Sequence, residues 1–227
     1  MTIWIILAGI IAPALFWIGY FYYKDRAQPE PFLKIGTAYL LGLLTAYACL
    51  QFCSLLPLLG IPYDPSVFMH DNRLLYLLYS IGITGLLEES FKLLPFILII
   101  FRFKSFDEKT DGIIYASAIA LGFASFENIE YLQYMEGWEL LGRAFASPLT
   151  HCVFSSIWGY SLAVSRFKHS SLFKAVWQGL LLSAICHGLF NFLTTSAAWR
   201  LAASILILLV WIWVIRILEK SQVKKHN

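Results

Sequence analysis

The chain has 227 residues, of which 59% are hydrophobic and 14% charged. A soluble domain carries about 25% charged residues, so most of this chain belongs inside a bilayer, with little left for a soluble domain. The formal charge of +3 gives no ground for a nucleic-acid partner, because the basic residues fall in short loops between apolar runs.

Seven helices are predicted in chain order, each with a run near the ~20 apolar residues needed to span: Trp4 to Tyr23, Leu33 to Leu59, Leu74 to Phe101, Asp111 to Tyr134, Arg143 to Ser165, Leu172 to Thr194, and Ala198 to Leu218. The first has no basic region before it and no small-residue cleavage site after it, which marks a retained helix rather than a cleaved signal. Pro29, Pro31, Pro62 and Pro65 punctuate two of the loops. There is no internal repeat, so one domain over 1–227 is expected, with a catalytic core at about 73–195.

Orientation follows from lysine and arginine. Lys24, Arg26, Lys34, Arg102, Lys104, Lys109, Arg166, Lys168, Lys174, Arg216, Lys220, Lys224 and Lys225 fall on one side, and Arg73, Arg143 and Arg200 on the other. That asymmetry predicts an all-α, polytopic membrane bundle with seven spans, the N-terminus outside and the C-terminus cytoplasmic. The outer stretch from Tyr134 to Pro148, with Glu136, Trp138, Glu139 and Arg143, is expected either to lie along the interface or to serve as a connector with an aromatic anchor.

Ionisable side chains inside a span are costly and default to functional candidates. The third helix carries Glu88, Glu89 and Lys92, which are three and four residues apart and can pair. One lysine for two glutamates leaves a surplus carboxylate that a structural ion pair does not explain. Pro95 follows and can kink this helix. Glu127 stands on the fourth helix with no cation one turn away. His151 is on the fifth, and His187 and Asn191 share a face of the sixth at i,i+4. Asp111 reads as a helix-start cap or dipole partner. Cys49, Cys53, Cys152 and Cys186 read as small packing residues, not a disulfide framework. His70, His169 and His226 are assigned no role.

At 1.5 Å rise per residue, His151, His187 and Glu127 lie ~10–12 Å below the outer ends of their helices, and Glu88 and Glu89 ~22 Å. A tilted third helix lets all five converge between mid-membrane and the outer boundary. Three carboxylates with one lysine and neutral histidines leave a net charge of −2, which demands a divalent cation or a shared proton. Two mechanisms fit. In one, Glu127, His151 and His187 hold zinc or another divalent metal with an open position for water, and Glu88 or Glu89 is the general base. In the other, no metal is present, a glutamate activates water, and a histidine with Asn191 stabilises the oxyanion.

The ordered set EESFK, DGIIYASAIALGFASFENIEYL, His151 and HGLFN, on four successive helices, resembles the PrsW family of bacterial intramembrane proteases. The resemblance covers about Glu88 to Asn191. That family is in turn similar to the CAAX prenyl proteases and bacteriocin-processing enzymes, with their EExxxR, FxxxH and HxxxN motifs. Here these become EExxK, Phe123-xxx-Glu127 and His187-xxx-Asn191, so a glutamate stands where the superfamily has a histidine.

The resemblance implies a multi-pass bacterial cell-membrane metalloprotease, although the prenyl-protease relatives work as metal-free glutamate enzymes. It also implies a single-span membrane protein as substrate, an anti-sigma factor cleaved near its extracytoplasmic side to start a stress response. The rival readings are a non-catalytic scaffold, such as the seven-helix scaffold subunit of gamma-secretase, and an ion-coupled transporter. The surplus glutamates argue against the first, and the lack of an inverted repeat against the second.

Overall fold

The computed structural model describes residues 3–69, 71–135 and 137–226. Glu136 and His70, and the side chains of Lys224, Lys225 and His226, lie outside what is described. The described chain is all-helical, with no strand. Its α-helices are α1 (Ile3–Lys24), α2 (Phe32–Cys53), α3 (Arg73–Tyr79), α4 (Leu86–Leu98), α5 (Asp111–Tyr131), α6 (Gly137–Phe167), α7 (Leu172–Thr194) and α8 (Arg200–His226). Four helical segments are long and apolar enough to cross a membrane by length and composition: Phe32–Leu59, Asp111–Tyr134, Leu172–Thr194 and Ala197–Ser221.

The centre of the bundle is α5. Its side chains are buried continuously from Asp111 to Ser125, and again at Asn128. Helices α1, α2 and α6 pack around it. A helix buried on all sides needs small residues so that neighbouring backbones can approach, and Gly112, Ala116, Ala120 and Ala124 supply them. Gly112 shows the requirement most directly: a Cβ there would run into the Gly159 carbonyl of α6, and one on Gly159 into the Gly112 carbonyl. The outer helices show the opposite pattern. Leu33, Leu40 and Leu44 on α2 and Leu201, Leu208 and Leu209 on α8 point outward. Apolar faces this extensive are excluded from water and belong against lipid.

The predicted third helix is one continuous path with a break in its geometry. A π-helical turn, Ser80–Gly85, joins α3 to α4. The sequence reading contained no such turn, because hydrophobic periodicity does not distinguish one wide turn inside a helix. Close packing on α7 surrounds the turn: a Cβ on Gly85 would meet the Ala184 carbonyl, and one on Gly188 would meet the Ser80 carbonyl and Ile81 backbone. A π turn shifts the register of everything after it, and such turns recur at functional sites. Here it ends three residues before Glu88.

Helix α6 begins at Gly137, six residues before its predicted start. From Gly137 on, the stretch assigned to an interfacial segment or connector is therefore its first turns, and Pro148 lies inside it. At 31 residues it is ~46 Å long, longer than the ~30 Å apolar core of a bilayer.

The loops bearing the basic residues gather at one end of the bundle. Lys24 Nζ pairs with Glu219 Oε1 at 2.8 Å, Gln28 Nε2 donates to Asp107 Oδ1 at 2.5 Å, and Arg166 donates to the Phe101 carbonyl. At the opposite end, the Tyr79 hydroxyl donates to the Pro62 carbonyl at 2.7 Å. The four cysteines are free thiols, and Cys152 turns from the histidines toward the Ser117 carbonyl.

Candidate active site

The π turn and α4 deliver two adjacent glutamates into very different surroundings. Glu89 is fully buried and surrounded by donors. Its Oε1 takes Lys92 Nζ at 2.8 Å and His187 Nδ1 at 2.8 Å. Its Oε2 takes the Ser155 hydroxyl at 2.7 Å, Trp158 Nε1 at 2.9 Å and, at 3.1 Å, the Ser183 hydroxyl, whose proton is shared with the Phe154 carbonyl at 2.7 Å. Five donors from three helices satisfy this carboxylate completely, the condition under which a buried charge is tolerated.

Glu88 faces the other way. Its Oε2 is buried and has no hydrogen-bond partner. Around that oxygen stand Lys92 Nζ at 3.5 Å, His187 Nε2 at 3.5 Å and His151 Nδ1 at 3.9 Å. Adjacent helix positions point ~100° apart, which is why one glutamate enters the packed core while its neighbour reaches a cavity.

The Lys92 ammonium donates to His151 Nδ1 at 2.8 Å and stands 4.4 Å from the centre of the Phe123 ring. With Nδ1 accepting, His151 presents its N–H at Nε2 to Glu127 Oε2, 3.0 Å away. Glu127 is also held by Arg143, whose Nη2 lies 3.2 Å from the same oxygen and whose Nε bonds Asn128 Oδ1 at 3.2 Å. The His151 and His187 rings meet edge to face, with centroids 4.9 Å apart.

Arg143 adds to the sequence reading: Glu127, with no cation one turn away on its own helix, takes one from α6, sixteen positions along the chain, where helical spacing gives no hint of it. Three carboxylates with two cations leave a net charge of −1 instead of −2. Asp111 stands in the first turn of α5, the place of a dipole partner and not of a cap, and its Oδ2 also accepts the backbone N–H groups of Asp107 and Glu108, both at 2.7 Å, which ties down the preceding loop.

A cavity of about 410 Å³ opens onto Glu88, Glu127, Arg143, His151, His187 and Asn191. A second, of about 320 Å³, reaches Glu88 and Glu127 from the other side, past Cys49, Leu50, Phe123 and Phe126. The two glutamates stand where a polar recess meets a more apolar one. Asp64 borders the second recess, and its carboxyl is held below the usual range by the Ser66 hydroxyl and N–H.

The donor atoms that converge closely enough for one ion come from Glu88, His151 and His187, all within 4.8 Å of one another. The sequence expectation was Glu127, His151 and His187. Glu127 is instead engaged by Arg143 and by the far nitrogen of His151, because the imidazole presents only one nitrogen to each side. The residues fit a cation once His151 Nδ1 exchanges its Lys92 hydrogen bond for it: an orphaned buried carboxylate oxygen faces two imidazole nitrogens, and each imidazole has a carboxylate on its other nitrogen, the arrangement that orients metal-ligating histidine.

Sequence reasoning missed Arg143, Ser155, Trp158, Ser183 and Asn128. A signal existed for the two serines. Ser155 is four residues after His151 and Ser183 four before His187, so each hydroxyl shares its histidine's face.

A buried, water-reachable cluster of carboxylates and imidazoles inside an apolar helical bundle is what hydrolysis within a membrane requires. The comparisons agree with that class. The profile of the PrsW family of intramembrane metalloproteases matches residues 30–218. The chain is 33% identical over 219 residues to the protease PrsW of Oceanobacillus iheyensis, covering 95% of each chain. It is 29% identical over 193 residues to that of Bacillus subtilis, covering 85% of this chain and 83% of the relative. With that of Clostridioides difficile it shares 29% identity over 221 residues, covering 94% and 87%. No solved structure matches. The chain belongs to the PrsW family, as a multi-pass bacterial membrane protein of the intramembrane protease class.

Proposed function

We propose that the chain is a seven-span protease, N-terminus outside and C-terminus cytoplasmic, that hydrolyses a peptide bond near the extracytoplasmic side of a single-span membrane protein. An anti-sigma factor is the substrate class that the family resemblance favours. The observation that carries the reading is Glu88 Oε2, an unpartnered carboxylate oxygen at the junction of two cavities, 3.5 Å from an imidazole nitrogen.

The residues divide the work. Glu88, His151 and His187 would hold a divalent metal, and Glu89 and Glu127 orient the two imidazoles. When bound, the metal would lower the pKa of a water and polarise the scissile carbonyl. Glu127, held by Arg143 and His151, lines the cavity and is then the carboxylate placed to take the proton from that water. Asn191 and the Arg143 guanidinium face the same recess and are the donors available to a developing oxyanion. The apolar recess beside Phe123 and Phe126 suits the unwound substrate segment, and the polar recess suits entering water.

One observation supports a second reading. The Lys92 ammonium already contacts His151 Nδ1 at 2.8 Å and balances the site without a metal. In that case Glu88 itself takes the proton from water. The test is metal analysis of the purified protein beside a cleavage assay with and without chelator. The metal reading expects stoichiometric metal and loss of cleavage in chelator, restored by zinc. Full activity in strong chelator, with no metal detected, eliminates it.

The topology rests on the basic loops gathered at one end. In a cysteine-free background, a cysteine at Lys168 should label only from the cytoplasm and one at Asp64 only from outside. Labelling of Lys168 from outside rejects the orientation.

A further inference from the structure

Arg143 reaches the last turn of α5 from a different helix and is held there by three residues. Its side chain is 24% exposed. Nε donates to Asn128 Oδ1 and Nη2 to Glu127 Oε2, both at 3.2 Å, and the guanidinium carbon stands 4.1 Å from the centre of the Tyr131 ring. Asn128 and Tyr131 are three residues apart on α5 and share a face. They stand at its C-terminal end, where the helix dipole also favours a cation.

Asn128 carries the argument beyond packing. It is 1% exposed. A guanidinium only donates, so the amide turns its oxygen to Arg143, and its Nδ2 is left buried with no hydrogen-bond partner among the described residues. A buried donor without an acceptor is costly, and an apolar residue of that size would avoid the cost. What the amide supplies in return is the bond to Nε. Asn128 lines neither recess, whereas Tyr131 lines both, so Asn128 reaches the chemistry through Arg143. An arginine left to itself samples many rotamers and turns its head to water. With Nε tied and a ring beneath it, the fork is confined to one pose, with Nη2 on Glu127 and further N–H groups left for the recess.

We infer that Asn128 and Tyr131 are positioning residues for cleavage: they hold the Arg143 guanidinium on Glu127 and at the recess. The inference rests on the roles proposed above for Glu127 and Arg143, and its test separates the two.

The pose is read without activity, by NMR of the full chain in detergent with isotope-labelled arginine. The Arg143 Nε–H, identified by its loss in Arg143→Lys, should give a slowly exchanging signal. Asn128→Ala should make it exchange as fast as an exposed arginine. Tyr131→Leu, which removes the ring, should shift it, and Tyr131→Phe, which keeps the ring, should leave it in place. Fast exchange in the wild type, or a signal unmoved by both Asn128→Ala and Tyr131→Leu, overturns the inference.

Cleavage rates show what the pose does. Loss of an outer-shell contact costs ~10–100-fold, so Asn128→Ala should slow turnover in that range with a much smaller change in KM. In an Arg143→Ala background the same substitution should cost nothing further, because the residue it acts through is gone. A loss that persists in full without Arg143 overturns the inference. A wild-type rate in Arg143→Ala removes the role proposed for Arg143, and this inference with it. Tyr131→Leu supplies both readings where Asn128→Ala does not fold.

Discussion

Glu88 and Glu89 are neighbours in the chain and opposites in the structure. Around Glu89 the site is closed, with five donors and complete burial, and Glu89 lines neither of the two recesses. Around Glu88 and Glu127 it is open, with an unpartnered oxygen and two recesses meeting at the carboxylates. Saturation makes a charge a structural element: it fixes Lys92, His187 and three helices in one geometry. Incomplete satisfaction leaves a charge available to water and substrate. One closed carboxylate thus positions the imidazole that the open one faces.

The comparison can be broken most severely in the closed half. Lys92→Met leaves Glu89 buried without its cation, and loss of one partner of a buried pair costs ~3–5 kcal/mol. Chemical denaturation should show that loss together with loss of activity. Unchanged stability would mean that the pair is not buried as described.

In the open half, Glu127→Gln should slow cleavage by ~10²-fold, about 2.7 kcal/mol in barrier, with a far smaller change in melting. A large loss of stability with modest loss of rate would move Glu127 into the structural set. The smallest effect concerns a single donor. Ser155→Ala removes one of five bonds to Glu89 and should destabilise by ~1–2 kcal/mol, leaving cleavage within a few-fold of wild type at a temperature where the variant is folded.

Much of this was legible in the sequence. The helical paths were visible because apolar runs of spanning length are separated by basic or proline-marked loops. Glu88, Glu89, Lys92, Glu127, His151, His187 and Asn191 were visible because polar groups in such runs need a reason. Other features were not visible, for identifiable physical causes. The π turn leaves no periodic trace. Arg143 reads as a loop charge until α6 extends back to Gly137 and presents it to Glu127. The division between Glu88 and Glu89 depends on which way each side chain leaves α4, and that is set by packing of the π turn on Gly188 of α7. That Glu88 and not Glu127 brings a ligand atom within 4.8 Å of those of both histidines follows from the same orientation.

The most direct test of the central claim measures cleavage and unfolding together for Glu88→Gln and Glu89→Gln. The account predicts that Glu88→Gln loses at least ~10² in rate while its unfolding midpoint stays close to wild type, because Glu88 Oε2 has no hydrogen bond to lose and its contact with Lys92 is long, 3.5 Å. Glu89→Gln should lose stability by several kcal/mol, since Lys92 loses its 2.8 Å carboxylate and keeps only the 3.5 Å contact with Glu88, and its activity should fall with it. The opposite pairing, a stable but inactive Glu89→Gln with a destabilised, active Glu88→Gln, would contradict the account.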